Sequence, residues 1–88
     1  MIGTYVFNED KRDTLIISAN NSYMHISYRD NKKLIDTGKW KFNGVEIAFD
    51  NFAFANSGVG LWSTRVFQNK NRICLNYAEE DVFYFKIN

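Results

Sequence analysis

The chain contains no proline. Its turns must therefore be built from asparagine, aspartate and glycine, which tolerate positive φ or bond their own backbone. There is one cysteine, Cys74, so no internal disulfide can form. That usage fits a reducing compartment. There is one histidine, His25, with no second histidine and no cysteine at ligand spacing, so no metal is expected. No apolar run approaches the roughly 20 residues of a membrane span. The opening stretch MIGTYVFNED lacks the basic and apolar regions of an export signal. A cytoplasmic protein with no membrane partner is the expectation. Neither sign of charge dominates, with 11 Lys and Arg against 10 Asp and Glu. This balance argues against the basic field of a nucleic-acid binder and leaves any charge-driven function to local clusters. Nucleophile-elbow, phosphate-loop, dinucleotide and zinc-protease motifs are missing. No spacing singles out a pair of catalytic carboxylates. The expectation is a non-enzyme without a cofactor.

Aromatic residues, by contrast, are abundant at 17% of 88 residues. A single domain of this size, 1–88, buries only about 60–65% of its unfolded surface and needs an efficient core. Each Phe or Tyr can bury roughly 150–250 Å².

Turn signals recur about every ten residues, as in all-β meanders. They are 8–13 (NEDKRD), Asn20-Asn21, Asp30-Asn31-Lys32, Asn43-Gly44, Asn69-Lys70-Asn71 and Glu79-Glu80. Asn43-Gly44 is the strongest hairpin signal, because a two-residue type I′ turn needs positive φ twice. Between the turns lie eight expected strands: 2–7, 14–19, 22–29, 33–42, 45–50, 61–68, 72–78 and 82–87. Period-2 alternation separates Ile73, Leu75 and Tyr77 from Arg72, Cys74 and Asn76. It likewise separates Ile47 and Phe49 from Glu46 and Asp50, and Phe83 and Phe85 from Tyr84 and Lys86. No segment carries a helical period of useful length. Gly38 suggests a bulge or bend in its strand. His25, inside YMHIS, reads as a half-buried structural residue, and Cys74 as a buried free thiol.

The stretch 51–60, NFAFANSGVG, breaks the pattern and reads as the longest connection. It either plugs one end of a barrel or contacts a partner. Lys39-Trp40-Lys41-Phe42 and Arg65-Val66-Phe67 interleave charge with aromatics. Period 2 sends the two kinds to opposite faces, so they form no stacking groove for single strands. The architecture expected is all-β, a half-barrel or flattened β-sandwich of short antiparallel strands.

The order of Gly3-Thr4-Tyr5, Gly38-Lys39-Trp40, Asn51-Phe52, Gly60-Leu61-Trp62 and the closing RICLNY…DVFYFK hairpin resembles small bacterial lipocalin-like or half-barrel β domains. Within that neighbourhood the chain is similar to immunity proteins of toxin–immunity pairs, such as those of contact-dependent growth inhibition. The resemblance implies a cytoplasmic antitoxin that binds one cognate protein toxin, such as a nuclease, and blocks its active site. Glu79, Glu80 and Asp81 would then be an acidic plug, with Phe54, Trp62 and Arg65 as contact anchors. Asp30, Asp36, Glu46 and Asp50 form an alternative acidic face. The competing expectation is a small lipocalin-like carrier of an apolar ligand, which short strands and abundant Phe and Tyr disfavour.

Overall fold

The computed structural model describes residues 1–54, 58–78 and 81–88. Its eight strands are β1 (Gly3–Phe7), β2 (Thr14–Ile17), β3 (Ser22–Arg29), β4 (Lys32–Phe42), β5 (Glu46–Phe54), β6 (Gly58–Asn69), β7 (Arg72–Asn76) and β8 (Phe83–Lys86). Each pairs antiparallel with the next. β1 also pairs with β8, through Tyr5 opposite Lys86 and Phe7 opposite Tyr84. The sheet therefore closes into a barrel in chain order. Closure goes beyond the half-barrel or flattened sandwich expected from the sequence. It gives β1 and β8 partners on both sides, which removes two edges open to association.

Alternation along the strands fills the barrel. Tyr5, Leu15, Ile17, Tyr23, Ile47, Phe49, Phe52, Trp62, Leu75 and Tyr84 form one core cluster, each 5% exposed or less. Phe52 is the hub of the aromatic packing. Its ring centroid lies 4.5 Å from that of His25, 4.6 Å from Trp62 and 5.3 Å from Phe54. Phe49 stacks on Trp62 at 5.0 Å and meets Tyr23 edge-on at 5.2 Å. Offset and edge-to-face pairs of this kind add roughly 0.5–1.5 kcal/mol each beyond the area they bury.

The segment expected to be a long connection is mostly strand. β5 runs on to Phe54 and β6 begins at Gly58, leaving 55–57 outside the described residues. The break in alternation is a β-bulge between Phe49 and Phe52. Asn51 sits there at φ 54°, and Asp50 and Asn51 are both exposed. The extra residue lets two inward rings sit three apart in sequence, as a bulge allows. The bulge also anchors β4, because Asp50 Oδ1 accepts the Lys39 N–H at 2.6 Å and Asn51 Nδ2 donates to the Thr37 carbonyl at 3.3 Å.

Turn chemistry departs from the expectation at one place. Among the described residues, the two-residue turns with both central φ positive are Asp30-Asn31 (51° and 63°) and Lys70-Asn71 (53° and 65°). Asn43-Gly44 forms a wider loop, in which the Asn43 side chain accepts N–H bonds from Val45 at 2.9 Å and Glu46 at 2.8 Å. Only Gly44 there has positive φ, at 97°.

Gly38 lies in unbroken strand. A Cβ at this position would come within 2.7 Å of the Asp50 carbonyl oxygen and of the Tyr23 ring. Here β4 passes from its pairing with β3, over 32–39, to its pairing with β5, over 40–42. Glycine permits the backbones to approach at that corner.

In the last strand the aromatic alternation resolves with Tyr84 inside, 1% exposed, while Phe83 and Phe85 are half-buried. Phe83 and Phe85 pack with each other and with Phe67, and Arg72 stacks over Phe85 at 4.9 Å. Cys74 sits opposite both Phe67 and Phe85 and is 1% exposed. Burial pushes its thiol pKa up, the setting of an unreactive thiol.

Candidate functional site

Two places in the barrel gather chemistry-bearing side chains. One is an internal polar cluster. Period 2 turns His25 inward beside Tyr23, and Tyr84 inward from β8. Asp13, at the end of the β1–β2 connection, reaches them both. Its Oδ1 lies 2.8 Å from His25 Nε2 and accepts the Tyr84 hydroxyl at 2.9 Å. The Tyr84 oxygen is 3.2 Å from His25 Nε2. Burial, with the Asp13 carboxylate alongside, pushes the Tyr84 hydroxyl pKa far above the ordinary tyrosine range. The His25 ring stacks on Phe52, with 13° between the ring planes.

These are acid–base residue types, yet their surroundings are closed. The His25 side chain is 3% exposed and that of Asp13 is 17% exposed. The cluster ties the β1–β2 connection to β3 and β8 and works as a cross-link. Hydrogen bonds to a charged acceptor of this kind contribute about 1.5–3 kcal/mol. His25 is fully buried where a half-buried residue was expected.

The second place is the barrel end where β1–β2, β3–β4, β5–β6 and β7–β8 connect. Antiparallel order puts these four connections together. They bring Glu9, Asp10, Asp13, Asp30 and Asp81 to one end, together with Lys11, Arg12, Arg29 and Lys32. Asn8 holds two of the connections in place. Its Nδ2 donates to the Asp81 carbonyl at 2.6 Å, and its Oδ1 accepts the Phe83 N–H at 3.0 Å. Asp10 is bonded to Arg12, which keeps its carboxyl below the usual carboxylate range. Arg12 in turn lies over the Tyr28 ring at 4.9 Å.

The residues singled out in the sequence fall in different places. Glu79 and Glu80 lie outside the described residues. Asp81 is exposed at this end. Phe54 is half-buried, with its ring against Phe52 and 6.2 Å from Tyr77. Trp62 is corrected from surface anchor to core residue: it is 5% exposed, between Phe49 and Phe52, because β6 alternation turns it inward. Arg65 is exposed and lines an outer groove with Phe42, Val45 and Val66. Phe42 is 44% and Val45 54% exposed, so an arginine sits beside free apolar surface.

The alternative acidic face does not form as one surface. Asp30 is in the β3–β4 turn, and Asp50 is engaged at the bulge. Glu46 begins β5 opposite Arg65, next to the turn at the other end, and Asp36 lies along β4 opposite His25.

Sequence reasoning missed the Asp13–His25–Tyr84 cluster. The available signal was the register of Tyr23 with His25, which puts both on one face. Among the described residues there is no group of metal-ligating side chains and no helix long and apolar enough to cross a membrane. No family model, curated protein or solved structure matches the chain.

Proposed function

We propose that this chain is a cytoplasmic, non-enzymatic binding protein of the immunity type, which neutralises a cognate protein toxin by covering its active site. The observation that carries this reading is the convergence of carboxylates from three connections on one barrel end, in a chain whose net charge is only +1. Carboxylates held at the end of a rigid barrel suit a basic catalytic cleft, such as that of a nuclease, and charge complementarity speeds association. Glu79, Glu80 and Asp81 supply the carboxylates of the β7–β8 connection. Arg65, beside exposed Phe42 and Val45, is a second contact candidate on the outer wall, with the composition typical of interface anchors.

The interior supports binding by surface over carriage of a ligand. Its centre is occupied by the Phe49, Phe52, Trp62 and Tyr84 rings, and the carrier alternative has no role for that filling.

The test is co-purification with the product of the adjacent gene, followed by size-exclusion chromatography and an assay of that product's activity. A one-to-one complex that silences the activity is the expected result. Replacing Glu79 and Glu80 with Gln and Asp81 with Asn weakens that complex by at least about tenfold while leaving the melting curve in place. Unchanged affinity in this variant removes the acidic plug from the reading. The absence of any complex, together with a fluorescence response to micromolar fatty acid, would replace it with the carrier.

A further inference from the structure

β4 carries an open edge. Over 32–39 it pairs with β3 alone, and β5 joins it only at Trp40, Lys41 and Phe42. Arg29 opposite Lys32 closes the Asp30-Asn31 turn, so the even-numbered residues of this stretch direct their backbone groups to β3. The odd-numbered residues direct theirs away. The bulge residues Asp50 and Asn51 cap the Lys39 N–H and the Thr37 carbonyl on that side. Among the described residues, Lys33 and Ile35 have no ladder partner there. Both are exposed, as is Leu34, with Ile35 at 55% and Leu34 at 40%. An exposed strand edge is a template for pairing with another chain.

We propose that this edge is a dimerisation site, at which a second copy of the chain adds its own β4 antiparallel to the first. The inference does not rest on the toxin-binding reading. Its basis is the two-fold complementarity of Lys32-Lys33-Leu34-Ile35-Asp36. Edge groups meet only when odd-numbered residues face odd-numbered ones. With Leu34 on the two-fold axis, Lys33 and Ile35 exchange N–H and C=O bonds with Ile35 and Lys33 of the second copy. Leu34 meets Leu34, and Lys32 meets Asp36 twice by symmetry.

These side-chain pairs fall at the closely spaced positions, with Cα atoms about 4.5 Å apart, where cross-strand partners interact most. Neither Lys32 nor Asp36 has an ion-pair partner within its own chain among the described residues. The next register, with Ile35 on the axis, sets Asp36 against Leu34 and loses both charge pairs. An isologous contact of this kind closes at two copies.

Sedimentation of the intact chain over a concentration series tests the proposal. A monomer–dimer equilibrium is expected. Ile35→Pro removes one outward N–H without touching the β3 ladder, and the variant should be a monomer with unchanged circular dichroism. Lys32→Glu and Asp36→Lys each place like charges together twice and should weaken self-association by about tenfold. An equimolar mixture of these two variants restores opposite charges at both positions and should dimerise better than either alone. A wild-type chain that stays monomeric up to about 1 mM overturns the proposal. So does a dimer indifferent to Ile35→Pro, or a mixture no tighter than its components.

Discussion

Phe52→Ala separates a core strand from a surface connection at the position where the sequence pattern breaks. Phe52 is 0% exposed, and its ring meets those of His25, Trp62, Phe54, Phe49, Tyr23 and Tyr77 within 6.4 Å. Truncation removes a whole ring from the middle of that group. The neighbours sit on β3, β5, β6 and the β7–β8 connection, so they cannot close the void together. Such a change costs about 3–5 kcal/mol. A domain of this size has a total stability of only about 5–10 kcal/mol. At about 4–8 °C per kcal/mol, the melting temperature should fall by roughly 15–30 °C. Urea unfolding followed by tryptophan fluorescence reads this, because the Trp62 ring centroid is 4.6 Å from that of Phe52. A loss below about 1 kcal/mol, the range of surface changes, would refute the placement of 51–54 in the barrel wall.

Tyr84→Phe should cost about 1.5–3 kcal/mol by removing a donor to the Asp13 carboxylate, and adding Asp13→Asn should cost less than the two separate losses combined. Strict additivity in urea unfolding would show that the cluster does not act as a unit. Burial raises the Tyr5 and Tyr23 hydroxyls from 10.0 to about 12, with Asp50 and Asp36 adding to the effect at Tyr23. Both groups stay protonated in the fold after the unfolded chain has lost those protons. Their contribution is therefore complete below pH 10 and falls as pH rises towards 12. Chemical unfolding across that window should show a loss on the order of 2 kcal/mol per tyrosine, and a flat profile would contradict their burial. Gly38→Ala should destabilise the barrel by more than about 1 kcal/mol, because the Asp50 carbonyl it would press against also accepts the Tyr23 hydroxyl, and thermal melting measures it.

Strand number, order and most boundaries were legible because they rest on local physics. Alternation fixes which residues share a face, and Asn and Asp mark where the chain can reverse. β3 lies where the pattern put it, Ser22–Arg29, and the aromatic content announced a self-sufficient core. The inward side of β8 was less legible. Tyr84 and its Phe neighbours are all aromatic, so hydrophobicity gives no direction, and the bond from the inward Tyr84 hydroxyl to the Asp13 carboxylate is visible only in the fold.

Composition could not reveal the gathering of carboxylates at one barrel end either, since they come from connections far apart in sequence and become neighbours only when the strands alternate up and down. Residues on β6 show the same division. Alternation separates Trp62 from Arg65, but barrel closure decides which of them faces the core. The sequence by itself therefore determined an all-β meander with asparagine-rich turns, because those choices depend on residues a few positions apart. The tertiary structure alone decided closure, the bulge that makes Phe52 the centre of the core, the Asp13–His25–Tyr84 cross-link and the open edge of β4. Each of these depends on contacts between strands, whose energies no local pattern encodes.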